Sequence, residues 1–491
     1  MKCPPEMPIP EKEWGATPLS VQAVVIGLWS ENQILKEQVG RLQKQVDHLQ
    51  AEVAKLCEQV NKNSKNSSKP PSSDPPYQGR YPKQPPSGQK KGGQEGHPGK
   101  GRKLKGPEQV DRIVVSRAVA CEDCRALLLG EDPHPRRHPV TELPKVEPIV
   151  TEYQLHSLTC CVCGARNQAE WPADMPKGSF GERMQATVGY LSGRFGLSKR
   201  DIEEALETIY QVEISLGSIP AQEQAVSQAL AKAVSEALDY VQAQASVNMD
   251  ETSWRELTKL VWMWVCTTPA VTVVRIFSTR GASGAEQLLG EDYPGIVGSD
   301  RYSAYNGLSP DQRQLCWSHL KRDFQAWVER GGHSQLIGRA LLEQIKIFFA
   351  LWHRIRDGTL SRTDFQTSML PVRREVHAIL TVGTFVQHSQ TRRTCCNILK
   401  VEQALWTFVD HEGVEPTNHA AERALRRGVI WRRRSFGTQS QAGSRFAERI
   451  LTVVSTLRQQ QRSVLDYLTE ACHARTLGIS PPSLLPAMLR T

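Results

Sequence analysis

Between Val25 and Val60 apolar side chains fall in two interleaved series with a seven-residue spacing. Val25, Val39, Val46, Val53 and Val60 form one, and Leu28, Leu35, Leu42, Leu49 and Leu56 the other. β-Branched residues in the first seam, Leu in the second and a single polar interruption at Asn32 predict a parallel two-stranded coiled coil. Glu31 and Lys36 then fall at flanking positions that pair between chains. A rod of about 40 residues would be about 60 Å long. From 180 to 245 the period stays helical, with turn and capping signals at Gly196-Leu197-Ser198 and at Ser215 to Pro220. Short helices joined this way suit a helix-turn-helix or ordinary helical packing. Asp201, Glu203, Glu204 and Glu207 weigh against placing that helix in a DNA groove.

The pattern then changes to β-branched and aromatic runs. Residues 260–268 and 272–279 read as consecutive strands, 281–290 as a short helix, and 295–300 as a short buried strand. Gln314 to His319 reads as another strand turning into a helix. This order predicts a mixed α/β sheet. Residues 320–400 are helical almost throughout, best explained as an all-helical insertion into the sheet domain.

Between the coiled coil and the sheet lie two segments of different composition. One is rich in Asn, Ser, Pro, Gly and Lys and too poor in aliphatic residues to bury a core. Its Lys90, Lys91, Arg102 and Lys103, among others, suit either a flexible arm along a phosphate backbone or a solvated linker. The other carries Cys121-x-x-Cys124 and Cys160-Cys161-x-Cys163 around strand-like residues 146–158. That is the spacing of a zinc ribbon with Cys121, Cys124, Cys160 and Cys163 as ligands and Cys161 as spectator. Four sulfur ligands leave no open position, so such a Zn²⁺ is structural.

The chain has 491 residues, too many for one core. No apolar run is long enough to span a bilayer, and the N-terminus lacks a signal-peptide pattern, so no membrane association and a cytoplasmic location are expected. In that reducing compartment the 12 Cys favour metal ligation over disulfides. The net charge of +9 favours a polyanionic partner.

Three carboxylates are the candidate chemistry. Asp250 and Asp300 each stand where an apolar strand gives way to polar residues. At one sheet edge they could hold hard divalent cations, or else simply form turns. Glu422 lies on a helix whose Ala420, Ala421, Ala424 and Leu425 make a close-packing face. Arg423, Arg426, Arg427, Arg432, Arg433 and Arg434 crowd around it. Ion pairing is one reading of that cluster. A basic surface beside a metal-binding carboxylate, suited to a phosphodiester, is the other.

In order, the heptads, the Ser/Lys/Pro arm with Gly92-Gly-x-x-Gly-His-x-Gly99, the cysteine ribbon, Asp250-Glu-Thr, Asp300-x-Tyr-x-x-Tyr305, Cys316-Trp-x-His319, the helical insertion and Asn418-x-Ala-Ala-Glu422-Arg resemble the insertion sequence 66 family of bacterial transposases. The resemblance implies a ribonuclease-H-like core and an Asp-Asp-Glu triad at Asp250, Asp300 and Glu422 that holds two Mg²⁺ or Mn²⁺ ions. It also implies DNA as partner, at element ends and target, in a nucleoid-associated protein, with accessory proteins of the same element. The heptads predict a homodimer or higher. His419 departs from the family, which commonly repeats Asn there. The alternatives are a non-catalytic DNA-binding regulator and a structure-specific nuclease without strand transfer.

The expected organisation is therefore a leader (1–20), coiled coil (21–61), basic linker (62–112), zinc ribbon (113–175) and helical region (176–245). The sheet core (246–319 and 405–460) follows, interrupted by the insertion (320–404) and closed by a C-terminal helix and tail (461–491).

Overall fold

The computed structural model describes residues 2–4, 7–64, 66–69, 104–172, 175–176 and 178–486. Lys90, Lys91, Arg102 and Lys103 lie outside the described residues. The chain divides into two compact units, one of Met1–Gln78 with Trp317–Glu402 and the other of Gly79–Cys316 with Gln403–Thr491.

The first unit is helical. It holds α1 (Glu11–Ala16), α2 (Leu19–Asn61) and, from the later segment, four helices named below. Helix α2 is continuous over 43 residues, as the heptads predict. Its Leu28, Leu35, Leu42, Leu49 and Leu56 are all more than half exposed, so the seam is built but uncovered within one chain.

The second unit begins with the cysteine module. Here β1 (Ser157–Thr159) and β2 (Arg166–Gln168) form a small antiparallel hairpin. The strand expected over 146–158 is reduced to its last residues. Upstream of them residues 146–156 form no strand, and Ile149 and Val150 are exposed.

Next come α3 (Glu182–Tyr190), α4 (Lys199–Tyr210) and α5 (Ser218–Gln242). A capping box at Ser198 and Asp201 starts α4, as the sequence signals. Its outer face carries exposed Asp201, Glu204 and Glu207. The region expected to be helical over 176–245 is so, and its last helix, α5, packs on the sheet. Its Ala229, Ala233 and Ala237 bring it close enough to share one apolar cluster with Met249, Val265 and Val274 of the sheet.

The sheet follows: β3 (Ser246–Glu256), β4 (Lys259–Thr267), β5 (Thr272–Phe277), α6 (Ala282–Leu289), β6 (Ile296–Ser299) and β7 (Arg313–Leu315). The strand order is β5-β4-β3-β6-β7. Both β3 to β4 and β4 to β5 are antiparallel, whereas β3 to β6 and β6 to β7 are parallel. The sheet is therefore mixed, with β4 alone running against the rest.

The chain then enters the helical segment of the first unit, with α7 (Trp317–Arg330), α8 (Gly332–Arg356), α9 (Arg362–Gly383) and α10 (Ser389–Leu399). Trp317, Phe324, Trp327, Phe348 and Phe365 are fully buried there, so this insertion has a core of its own.

On its return the chain forms α11 (Thr407–Asp410), α12 (His419–Ser435), α13 (Gln441–Gln459) and α14 (Val464–Leu477). Helix α12 packs on β3 and β4. Gly428 makes that approach possible, since a Cβ there would lie 2.2 Å from the buried Met263 Sδ.

Helix α13 covers the edge strand β5 by a side-chain ladder. Thr456 Oγ1, Thr452 Oγ1 and Glu448 Oε1 accept from the backbone N–H groups of Thr272, Val274 and Ile276, at 3.0, 2.9 and 2.6 Å. A four-residue step along a helix and a two-residue step along a strand are both roughly 6 to 7 Å, which keeps the two series in phase. This closes an edge that would otherwise offer open donors.

Candidate carboxylate site

Asp250 is not the last residue of its strand. β3 continues to Glu256 because β4 pairs with it throughout, Asp250 opposite Val265. What ends near Asp250 is the parallel ladder, whose last pair joins Asn248 to Gly298. Extending that register by two residues sets Asp250 level with Asp300, on neighbouring strands roughly 5 Å apart. Gly298 lets the strands meet there, since a Cβ would come within 2.3 Å of Asn248 Oδ1.

The loop carrying Asp300 is tied down from several sides. Tyr302 N–H donates to Asp300 Oδ1 at 2.8 Å, and Arg313 donates to the Asp300 carbonyl at 2.8 Å and to Ser299 Oγ at 3.3 Å. Cys316 N–H continues the ladder by donating to the Ser299 carbonyl at 2.9 Å.

Glu422 arrives from α12, in its first turn. Cys316 Sγ and a Glu422 carboxylate oxygen lie within 4.8 Å of each other. The start of α12 is fastened to the sheet by Asn418, whose Nδ2 donates to the Met249 carbonyl at 2.6 Å and whose backbone N–H donates to Cys316 Sγ at 3.2 Å.

Asp250 feels the other two carboxylates. Burial, the charge of Glu251, and the charges of Asp300 and Glu422 together raise the Asp250 carboxyl to about 8, against a hydrogen bond from Glu251 N–H that lowers it. Such a cluster is strained when fully ionised, and a hard cation relieves the strain. An all-oxygen donor set of this kind fits Mg²⁺ or Mn²⁺.

Glu251 points to the other face of β3, as strand alternation predicts. It is buried, with Oε1 accepting from Arg280 Nε and Nη2 at 3.1 and 3.0 Å and Oε2 from the Tyr305 hydroxyl at 2.8 Å. Burial raises the Glu251 carboxyl, and it raises the Tyr305 phenol well above its usual range. Arg280 is in turn stacked on Tyr302, 3.8 Å from the ring centre. The second acid of Asp-Glu-Thr is thus a brace beneath the site.

The arginines of α12 divide into two groups. Arg432 bonds Thr252 Oγ1 and the Ser253 carbonyl of β3 at 2.9 and 2.7 Å, Arg427 bonds the Arg194 carbonyl at 2.9 Å, and Arg434 bonds the Phe195 carbonyl at 3.2 Å. These three hold the helix in place. Arg423, Arg426 and Arg433 are exposed. At about 100° per residue they share one face, and Glu422 falls at the margin between that face and the packed one.

The cysteines form two matching turns. Cys121 N–H donates to the Ala126 carbonyl and Cys160 N–H to the Ala165 carbonyl, while Arg125 and Gly164 close each turn on the first cysteine's carbonyl. Both closing residues have positive φ, 61° at Arg125 and 73° at Gly164. Backbone N–H groups of Cys124 and then Asp123 lower the Cys121 thiol, and those of Cys163 and then Val162 lower that of Cys160. Each turn is therefore shaped for thiolates, which suits zinc. The structure does not gather three or more of these sulfurs at one centre among the described residues.

No described helix is long and apolar enough to cross a membrane. A family model described as "Transposase IS66 family" matches residues 177–445, and one for a family of unknown function, DUF6444, matches 17–103. Two Sinorhizobium fredii (strain NBRC 101917 / NGR234) proteins are similar. Uncharacterized protein y4qI is 26% identical over 48% of this chain and 48% of its own length, so the match spans about half of that relative. Uncharacterized protein y4hP is 25% identical over 72% of this chain and 70% of its own length.

Proposed function

The chain belongs to the IS66 transposase family, and from that premise we propose that it cuts and joins DNA phosphodiesters at the ends of an insertion sequence, using Asp250, Asp300 and Glu422. What supports this reading is that Asp250 and Asp300 follow the last pair of the parallel β3–β6 ladder and that Asp250 responds to the charges of both Asp300 and Glu422. The strand order, with only the second strand reversed, supports a ribonuclease-H-like core.

The three carboxylates would hold two Mg²⁺ or Mn²⁺ ions, which when bound supply an activated oxygen nucleophile and a stabilised leaving oxygen for in-line displacement. Arg423, Arg426 and Arg433 place positive charge on the helix face next to Glu422, where a phosphate backbone is drawn in. Arg427, Arg432 and Arg434 keep that helix seated. Zn²⁺ on Cys121, Cys124, Cys160 and Cys163 would join the two cysteine turns into one module. The exposed seam of α2 would pair two chains.

The test is metal-dependent cleavage of an element-end duplex, with joining of labelled ends to target DNA and gel-shift binding measured alongside. Asp250→Asn, Asp300→Asn and Glu422→Gln each keep size and remove charge, so each abolishes cleavage and leaves binding. Glu251→Gln retains cleavage but lowers the melting temperature. Cleavage by the native protein without joining makes it a nuclease, and binding without either makes it a regulator. Robust cleavage by Glu422→Gln removes the third ligand. Glu448 is already committed to the β5 edge, so suspicion would fall on Glu415.

A further inference from the structure

An Asn at the residue before a helix ordinarily turns its side chain inward to cap the first free N–H groups. Asn418 occupies that position for α12 and makes no side-chain cap. Its φ and ψ of −91° and 22° lie outside the extended conformation usual there, and its amide reaches across to the Met249 carbonyl instead. Met249 is the residue before Asp250, and Glu422 N–H donates back to the Asn418 carbonyl at 3.2 Å. One residue thus touches the strand beside the first carboxylate and the helical turn that bears the third.

We propose that Asn418 is a positioning residue that sets Glu422 against Asp250, so that the two carboxylates share a divalent cation. This rests on the carboxylate reading above. Asn418 is 1% exposed, and its Oδ1 is enclosed without a hydrogen-bond partner. A buried carbonyl left unmet is a liability for stability. Replacing Asn418 with Ala loses the bond to Met249 but also removes that unmet oxygen, so the two effects on folding offset each other. A stabilising role predicts that Asn418→Ala melts early. A positioning role predicts that it folds normally and grips cations poorly.

The experiment measures Mn²⁺ affinity of the full chain by titration calorimetry without DNA, with thermal melts alongside, for Asn418→Ala, Glu422→Gln and the double variant. The expected result is a melting temperature close to the native one and Mn²⁺ affinity about tenfold weaker for Asn418→Ala, of the order lost when the shell around a ligand is altered. The double variant binds no worse than Glu422→Gln alone, because Asn418 acts through Glu422. Unchanged Mn²⁺ affinity in Asn418→Ala, or additive losses in the double variant, overturns the proposal. If Asn418→Ala fails to fold, Asn418→Ser replaces it. A Ser hydroxyl can cap α12 but is too short to span to Met249, so it folds and shows the same loss, and native affinity in Asn418→Ser again overturns the idea. If Glu422→Gln itself binds Mn²⁺ normally, the failure lies with the carboxylate reading.

Discussion

Asp250 carries a proton to about pH 8, high for a carboxylate, because it is buried among Glu251, Asp300 and Glu422. Its usual value in an unfolded chain is near 4. Folding therefore retains a proton between roughly pH 4 and pH 8, and this residue costs progressively more stability as pH rises through that window. A divalent cation competes with the proton for the same oxygen. The rise in melting temperature on adding Mn²⁺ should accordingly be larger at pH 8 than at pH 6, and Asp250→Asn should flatten that difference. Differential scanning fluorimetry at the two pH values checks it, and a shift independent of pH would count against a shared cation site. At this scale the sequence singles out three acids to propose. It was misleading about Asp250 as a strand terminus, since Asp-Glu-Thr looks like a polar stop. The strand runs on because β4 pairs with it as far as Glu256, while Glu251 is held beneath the sheet by Arg280 and Tyr305, partners 29 and 54 residues away.

Among the elements, the two cysteine turns share one backbone path but not one sequence. Gly164 suits its positive φ, whereas Arg125 adopts φ of 61° with a full side chain. A left-handed non-glycine residue costs about 1–2 kcal/mol, partly offset by the freedom Gly loses on folding. Arg125→Gly should stabilise the proposed zinc-loaded module by about 1 kcal/mol, read as slower zinc release to a chelator, with Cys160→Ser as the variant that loses the metal. The heptads of α2, the capping box of α4 and the strands 259–267 and 272–277 were legible because each is written in a local period. The placement of α5 in the core was not. Its small residues allow close approach to something, and only the tertiary structure says that the sheet is what they approach. Asn418 is the same lesson in reverse, since the local rule would have it cap its own helix. The α13 ladder was equally silent, because Glu448, Thr452 and Thr456 look in sequence like ordinary polar positions on a helix.

For the whole molecule, the uncovered seam of α2 predicts association through that helix. Leu42→Pro with Leu49→Pro breaks the rod in two places and should convert the proposed dimer to monomer in sedimentation, while the melting of the sheet unit is unaffected. In sequence, Glu422 comes after the helical segment 317–402 and the two aspartates come before it. Ribosomes add about 5–20 residues per second, so α2 has left the ribosome long before the third carboxylate exists. A chain interrupted after Cys316 would carry the pairing helix, Asp250 and Asp300 but no Glu422. It would be a poison subunit, able to join an intact chain and unable to complete its own site. Co-expressing residues 1–316 with the full chain should therefore depress transposition, and the same fragment with Leu42→Pro and Leu49→Pro should not.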